Sequence, residues 1–124
     1  MTKDIITLDV IAAAWEKAQA VEGFDADIIR KDACGAWIQK DMYSQPGSMY
    51  GWGVDLILPK ILGGDADNEN VRALNYRNII SKGKDYPSYK AVYTADGLKN
   101  KETEMYLVVN KKVRTNLKKK YEHA

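Results

Sequence analysis

Residues 50–59 constrain the fold more than any other segment. Their apolar side chains recur at every second position, in the run Trp52, Val54, Leu56 and Leu58. Alternation with a period of two is typical of a β-strand. The pattern ends at Pro59, and Gly63 and Gly64 follow as a turn signal. The sequence therefore predicts a central strand that ends at Pro59 and leads into a tight turn.

An amphipathic helix is predicted near the start of the chain. Apolar side chains recur at helical spacing over about residues 7–21, with Thr7 as the N-cap and Gly23 as the stop. Between this helix and the central strand the pattern is mixed. Residues 26–31 predict one short helical turn, and residues 35–38 predict a short strand.

Further elements are predicted after the glycine turn. Asp67 or Asn68 is expected to cap a helix that runs to about residue 82. Residues 88–94 and 105–109 have β character, with a turn signal at Asp96 and Gly97 between them. Asn110 is then expected to cap a terminal helix in which Val113, Leu117 and Tyr121 are four residues apart.

The distribution of charged residues along the chain is more informative than the net charge. A net charge of +2 is too small to establish a nucleic-acid partner. Positive charge is nevertheless concentrated in one C-terminal segment, which contains Lys111, Lys112, Arg114, Lys118, Lys119 and Lys120. This segment either presents a basic face to an anionic partner or is a solvated helix face, and both interpretations stay open.

Cysteine usage and hydropathy indicate a cytoplasmic protein. The single cysteine, Cys34, excludes an intrachain disulfide and favours a reducing compartment. The first ten residues carry Asp4 and Asp9 and lack the apolar run of a signal peptide. No stretch approaches the ~20 apolar residues of a membrane span. The only histidine, His123, lies at the far end of the chain, so Cys34 is more simply a small buried residue than an activated nucleophile.

An ordered set of residues carries a resemblance to a protein family. The set is Trp15, Gly23, Asp32, Cys34, Gly35, Ala36, Ile38, Gly51, Trp52, Val54, Asp55, Pro59, Gly63, Gly64, Asn70, Leu74, Tyr76, Asn78, Lys82 and Asp85. It resembles the small bacterial and phage HNH endonucleases, which are ββα-metal (His-Me finger) proteins. In that family a Cys-Gly-Ala-x-Ile segment precedes a Gly-Trp-Glu-Ile-Asp-His-Ile-x-Pro strand, and a Gly-Gly turn and an Asn-Leu-x-x-Leu segment follow.

The resemblance implies the architecture. An HNH module is a β-hairpin packed on a helix around one divalent metal ion. We therefore expect an α+β protein with an N-terminal helix, a central HNH-like ββα unit, a C-terminal β-hairpin and a basic helix. Residues 1–124 would form a single domain, in which about residues 10–86 are the HNH-like core and residues 87–124 an extension.

The resemblance also implies that the site is degenerate. In HNH nucleases a strand histidine activates the attacking water, while the preceding Asp and a His or Asn on the helix ligate the metal. Asp55 stands at the position of that Asp, and Leu56 stands at the general-base position. Asn70 matches the Asn that orients the loop, and Asn78 and Ile79 match the helix pair, with Ile79 at the ligating position. Neither Leu56 nor Ile79 can accept a proton or hold a metal, so we expect no catalysis, no cofactor, and Asp55 at most as a remnant ligand.

Other residues are candidates for binding a ligand. Arg72, Arg77, Lys82 and Lys84 lie on or after the helix that in HNH nucleases is near the DNA backbone, and Tyr43 and Tyr50 flank a loop from which they could stack on bases. The alternatives are solubility for the charged groups and core packing for the aromatic ones.

Three functions are consistent with this sequence. The first is a non-catalytic binding module for nucleic acid, a nucleotide or another phosphate-bearing ligand. The second is a protein-binding inhibitor or decoy in bacterial or phage conflict, and the third, less favoured, is a weak residual metal-dependent nuclease. A homo-oligomer is a further alternative that stays open, because apolar replacements in a once-polar cleft can create an adhesive patch.

Overall fold

The computed structural model describes residues 6–122. Its helices and strands confirm the α+β class. In chain order they are α1 (Leu8–Glu16), β1 (Ile29–Lys31), β2 (Trp37–Gln39), β3 (Trp52–Leu56), β4 (Val71–Asn75), α2 (Tyr76–Lys82), β5 (Ser88–Asp96), β6 (Lys99–Val108) and α3 (Lys111–Tyr121). The strands form three antiparallel pairs, β1–β2, β3–β4 and β5–β6. His123, the histidine noted in the sequence, lies outside the described residues.

Helix α1 begins where the sequence predicted but ends early. The Thr7 side chain accepts a hydrogen bond from the Val10 backbone N–H at 3.2 Å, as an N-cap does. The helix stops at Glu16 because the backbone of Gln19 pairs with that of Lys31 through two hydrogen bonds of 2.8 and 2.9 Å. Residues 29–31 form β1 and pair with β2, so the prediction of a helical turn over residues 26–31 is wrong for its second half.

The central unit has the order strand, strand, helix. β3 and β4 pair from Trp52 opposite Asn75 to Leu56 opposite Val71. The predicted helix from Asp67 or Asn68 is wrong over its first half, since residues 68–70 form one 3₁₀ turn and β4 follows. Val71 and Leu74 fit either a helical stripe or a strand, and pairing with β3 decides the outcome.

Helix α2 starts only at Tyr76. The side chain of Asn75 caps it by accepting a hydrogen bond from the Arg77 N–H at 3.0 Å. Asn75 also donates to the carbonyl groups of Trp37 and Met49 at 3.2 and 2.9 Å. One buried asparagine therefore ends β4, starts α2 and joins both to the preceding segments.

The β3–β4 hairpin separates two apolar clusters. On one face Trp52, Val71 and Ala73 pack with Trp15 of α1. On the other face Leu74 packs with residues of the C-terminal region, including Tyr89, Ala91, Val109 and Leu117. Because side chains of a strand alternate between faces, Arg72 falls on the second face, and so does Asp55, which is opposite it.

The C-terminal hairpin and helix are confirmed. β5 and β6 pair through a turn at Gly97 and Leu98, with a register shift between Ala91 and Tyr93. β6 begins at Lys99 rather than at the predicted residue 105. Asn110 caps α3 by accepting a hydrogen bond from the Val113 N–H at 2.8 Å. Leu117 anchors the helix in the second apolar cluster with a relative exposure of 1%.

Candidate functional site

Three charged side chains meet between β3, β4 and α2. We call Asp55, Arg72 and Lys82 the Asp55 cluster. Arg72 Nε donates a hydrogen bond to Asp55 Oδ2 at 3.0 Å, and Lys82 Nζ lies 3.4 Å from Asp55 Oδ1. Lys82 Nζ also donates to the Leu56 carbonyl oxygen at 3.2 Å. Each carboxylate oxygen of Asp55 therefore faces one cation.

The Asp55 cluster is largely removed from solvent. The side chains of Lys82, Asp55 and Arg72 are 0, 7 and 13% exposed. Burial lowers the pKa of Lys82, and the neighbouring Asp55 carboxylate opposes that shift. The cluster itself holds two cationic groups and one carboxylate, and the Asp85 carboxylate also opposes the lowering of the Lys82 pKa.

This geometry leaves little capacity for a metal. Asp55 would have to release an ion pair before either oxygen could ligate a cation. Among residues 6–122, no group of three or more His, Cys, Asp or Glu side chains is arranged to hold a metal ion. The positions that the resemblance assigns to the metal thus hold no complete ligand set in the described part of the chain.

The two apolar positions of the expected site lie apart. Leu56 packs against the α1 cluster, whereas Ile79 packs against the C-terminal cluster on the other side of the β3–β4 hairpin. Leu56 follows Asp55 in the strand, so its side chain points to the opposite face. The Leu56 backbone carbonyl, rather than its side chain, reaches the Asp55 cluster through Lys82.

Asn70 joins the two ends of the loop between β3 and β4. Its Oδ1 accepts a hydrogen bond from the Leu58 N–H at 2.8 Å, and its Nδ2 donates to the carbonyl groups of Leu58 and Asp65 at 2.9 and 3.0 Å. A Cβ at Gly64 would collide with the Leu58 carbonyl oxygen and come within 2.7 Å of Asn70 Nδ2. The glycine is therefore required by close packing around Asn70.

The amide group of Asn78 holds α2 to β5 through hydrogen bonds of both its oxygen and its nitrogen. Its Oδ1 accepts from the N–H groups of Val92 and Tyr93 at 2.9 and 3.0 Å, beside the register shift in β5. Its Nδ2 donates to the Tyr93 carbonyl and to Asp32 Oδ2 at 3.0 and 3.1 Å. These bonds leave Asn78 no free oxygen lone pair directed at Asp55.

Sequence reasoning missed the structural role of Asp32. This buried carboxylate accepts hydrogen bonds from the N–H groups of Cys34, Ala36 and Asn75, each at 2.8 Å, as well as the bond from Asn78. Burial raises the pKa of Asp32, and these donors oppose the shift. The spacing of Asp32 and Cys34 is that of an Asx turn, which is the signal that could have revealed it.

A cavity opens beside the Asp55 cluster. Its volume is about 330 Å³, and its lining includes Arg72, Tyr89, Ile57, Lys17, Asn110 and Val113. The Arg72 guanidinium lies over the Tyr89 ring, with Cζ 5.1 Å from the ring centre. Its Nη2 is buried and has no hydrogen-bond acceptor among the described residues. Sequence reasoning named Arg72 but did not identify Tyr89 or Lys17.

Lys17 reaches the same region from the end of α1. Its Nζ donates to the carbonyl groups of Asn68 and Val71, the latter at 2.8 Å. Burial lowers the pKa of Lys17, and Glu69 opposes the shift. Lys17 is therefore the second cationic side chain, with Arg72, that lines the cavity.

The remaining candidate residues lie outside this region. Arg77 pairs with Glu102 at 3.1 Å and covers the Tyr93 ring. Lys84 is exposed in the turn after α2. Tyr43 contacts Trp52 edge to face at 5.0 Å, and the Tyr50 hydroxyl donates to the Leu98 carbonyl at 2.8 Å. Of the six candidates for ligand binding, the structure brings only Arg72 and Lys82 together.

Cys34 is buried and poorly reactive. Burial raises the pKa of its thiol to about 12, with the Asp32 carboxylate adding to the shift. The thiolate that would act as a nucleophile is therefore disfavoured at neutral pH.

Comparisons with family models, curated proteins and solved structures found no significant match to this chain. Within residues 6–122, no helix has the length and apolar composition needed to cross a membrane. The features that bear on function are therefore the Asp55 cluster and the cavity that Arg72 lines.

Proposed function

We propose that this chain is a catalytically inactive, HNH-like binding module of the cytoplasm whose ligand carries a phosphate group. The observation that carries the proposal is the Asp55 cluster, where two cations share one carboxylate beside a cavity of about 330 Å³. The central order of strand, strand and helix supports HNH ancestry. The ancestry remains part of the proposal.

The same cluster supports the loss of catalysis. Leu56 offers no lone pair to activate a water molecule, and Lys82 and Arg72 occupy the oxygens of Asp55 that would ligate a metal. A divalent ion would therefore have to displace Lys82 or Arg72 before it could bind an oxygen of Asp55. Hydrolysis of a phosphodiester would then lack both its base and its metal.

A phosphate group suits the cavity for three reasons. Guanidinium groups bind phosphate oxygens through paired N–H donors, and Arg72 lines the cavity. The positive charges of Arg72 and Lys17, which both line the cavity, attract an anion. The cavity volume also falls within the roughly 300–1,000 Å³ that is common for small-molecule sites.

Ligand-induced melting shifts test this function. Adenosine and guanosine monophosphates, inorganic phosphate, and short DNA and RNA strands should be titrated without added metal. We expect at least one phosphate-bearing ligand to raise the melting temperature, because binding to the folded state stabilises it. Arg72→Gln should abolish that shift, whereas Arg77→Gln, which removes an arginine outside the cavity, should retain it.

A second substitution at Arg72 shows whether a loss of binding results from misfolding. Arg72→Lys keeps a charge beside Asp55 but lacks the paired donors, so it should fold and bind the ligand more weakly. If none of these ligands shifts the melting temperature, or if Arg72→Gln responds like the unmodified chain, the proposal is wrong.

Nuclease activity is tested separately. Supercoiled plasmid incubated with Mg²⁺, Mn²⁺ or Zn²⁺ should be nicked no faster by the unmodified chain than by Asp55→Ala. Metal-dependent nicking that disappears in Asp55→Ala would instead establish the residual nuclease.

A protein partner is the second candidate, and the outer face of the β5–β6 hairpin favours it. Leu98, Tyr106 and Val108 are 66, 74 and 57% exposed there, and β6 is an edge strand. A second copy of the chain would cover this face in a homo-oligomer. Sedimentation at increasing concentration, with Tyr106→Lys as the comparison, would detect that association.

A further inference from the structure

The two long edges of the β5–β6 hairpin differ in what covers them. Along the outer edge of β5, Asn78 of α2 accepts a hydrogen bond from the Val92 N–H at 2.9 Å. Ser81 of the same helix donates through Oγ to the Lys90 carbonyl oxygen at 2.6 Å. Side chains of α2 therefore satisfy backbone groups of β5 that would otherwise bind another strand.

The outer edge of β6 is open over residues 101–108. Among residues 6–122, β6 pairs with β5 alone, and no backbone–backbone hydrogen bond outside that pair involves residues 101–108. An unpaired edge of this kind presents a row of N–H and C=O groups to a further strand. The hairpin can thus be extended at β6 but not at β5.

One hydrogen bond fixes the direction of the backbone groups near the end of β6. The Val109 N–H donates to the Pro87 carbonyl oxygen at 3.0 Å. Bonded and non-bonded positions alternate in an antiparallel pair, so the N–H and C=O groups of Tyr106 and Val108 point away from β5. The side chains of these two residues are also exposed.

The charged side chains of β6 all lie in its first part. They are Lys99, Lys101, Glu102 and Glu104. The register shift of the hairpin follows Glu102. Charged residues and bulges are two of the features that protect an edge strand from pairing with another chain. The last four residues of β6, Met-Tyr-Leu-Val at 105–108, have neither feature.

We propose that β6 pairs with β6 of a second copy of this chain, antiparallel about a two-fold axis at Tyr106, so that the two hairpins form one four-stranded sheet. The inference goes beyond the phosphate-binding function and does not depend on it. It specifies how the second copy considered above would bind, which is edge to edge rather than face to face.

Charge selects the position of the axis. An axis at Thr103 would set Glu102 of one copy opposite Glu104 of the other, and an axis at Glu104 would set that residue opposite itself. Like charges directly opposite each other destabilise a strand pair. An axis at Tyr106 avoids both arrangements, because it sets Met105 opposite Leu107 and Glu104 opposite the uncharged Val108.

The length of β6 limits the axis from the other side. β6 ends at Val108, so an axis at Leu107 would leave only residues 106–108 of each copy in the pair. An axis at Tyr106 pairs residues 104–108, and Tyr106 of each copy exchanges two backbone hydrogen bonds with Tyr106 of the other. Because α2 covers the outer edge of β5, the association should stop at two copies.

Sedimentation equilibrium of the full chain over a range of concentrations tests the pairing. Tyr106→Pro removes the N–H at the axis, which the pair with β5 does not use, and proline is tolerated at such edge positions. This variant should stay monomeric at concentrations where the unmodified chain is a dimer. Leu98→Lys is the matched control, since it removes an exposed apolar side chain from the turn of the same hairpin, and it should dimerise normally.

A second variant keeps the test decisive if the proline disturbs the hairpin. Tyr106→Lys retains every backbone group but sets two lysines opposite each other at the axis, so it should also be monomeric. Its melting temperature, measured at a concentration where the unmodified chain is monomeric, reports whether the hairpin is intact.

Cross-linking through Tyr106→Cys locates the axis. Residues opposite each other in a hydrogen-bonded antiparallel pair have Cα atoms about 5.5 Å apart, which a disulfide can span. Air oxidation should therefore link two copies of Tyr106→Cys at least about tenfold faster than two copies of Lys101→Cys, whose exposed position lies outside the paired segment. Cys34 is buried, and the unmodified chain measures its background reaction.

Several outcomes would overturn the inference. They are a chain that stays monomeric at every concentration, association of Tyr106→Lys equal to that of the unmodified chain, equal cross-linking of the two cysteine variants, and species larger than a dimer. Loss of association in Leu98→Lys alone would place the contact at the turn and would contradict pairing at β6. The phosphate-binding function is judged separately by its Arg72-dependent melting shift, which Tyr106→Lys should retain.

Discussion

At the scale of single residues, the Asp55 cluster follows from strand geometry. Asp55 and Arg72 are opposite each other in the β3–β4 pair, so their side chains emerge on the same face. Lys82 joins them from the last turn of α2 with its side chain fully buried. Each cation depends on the one carboxylate, and removal of that carboxylate leaves two buried positive groups.

The first prediction concerns Asp55→Asn. Losing one partner of a buried ion pair leaves uncompensated charge, so we expect the free energy of unfolding to fall by about 3 kcal/mol. Chemical denaturation followed by tryptophan fluorescence measures this change.

Glu102→Gln provides the matched control for Asp55→Asn. It removes a carboxylate that pairs with Arg77 at 3.1 Å, close to the 3.0 Å of Asp55 and Arg72, but the Glu102 side chain is 79% exposed. The control should change the unfolding free energy by less than about 1 kcal/mol. Equal effects of the two changes would show that burial of the Asp55 cluster contributes nothing.

At the scale of elements, the helix caps were predicted more accurately than the helix lengths. Thr7 and Asn110 cap α1 and α3 as expected, because a cap is a local hydrogen bond between a side chain and a nearby N–H. The start of α2 was not predicted. Residues 71–75 form a strand because β3 supplies pairing partners, and no pattern in the local sequence indicates those partners.

The second prediction tests how α3 is held. Leu117 is 1% exposed and packs with the C-terminal apolar cluster. Leu117→Ala should lower the free energy of unfolding by about 3 kcal/mol, since it removes buried contacts and leaves a cavity. Leu98→Ala, at a position that is 66% exposed, should change it by less than about 0.5 kcal/mol.

The readout for Leu117→Ala is helical circular dichroism together with denaturation. If α3 were attached only by its charged side chains, Leu117→Ala would match Leu98→Ala. That result would contradict the packing of α3 described above.

At the scale of the whole molecule, one hairpin links two apolar clusters. The β3–β4 pair contacts α1 through Val71 and Ala73 and contacts the C-terminal region through Leu74. Polar groups strengthen the link, since Asp32 and Asn78 join β4, α2 and β5. Within residues 6–122, these connections are formed by side chains and backbone groups of the protein.

The third prediction follows from these connections. Because Arg72 and Lys82 occupy Asp55, divalent metal should not stabilise the fold. The melting temperature should be the same after dialysis against a chelator as in Mg²⁺ or Zn²⁺ at tenfold molar excess. A rise of several degrees with metal, absent in Asp55→Ala, would show that the ion pairs open and that Asp55 ligates a metal.

The candidate site was predicted in part. Asp55, Arg72 and Lys82 were singled out in the sequence, but as a remnant metal ligand and as separate phosphate contacts. Their mutual pairing depends on strand register and on the last turn of α2, which no local pattern encodes. Tyr89 and Lys17 were missed because they reach the cavity from elements that are distant in sequence.

Sequence patterns alone were sufficient to predict the α+β class, the helix caps at Thr7 and Asn110 and the C-terminal hairpin, and they identify Leu56 and Ile79 as side chains without a polar group. These features depend on local hydrogen bonding, on the period of apolar residues and on side-chain chemistry. Packing in three dimensions was needed to establish that residues 71–75 form a strand, that Asp55 faces two cations, and that Arg72, Tyr89 and Lys17 line one cavity. Each of these depends on groups far apart in the chain, whose distance in space is set by how the elements pack.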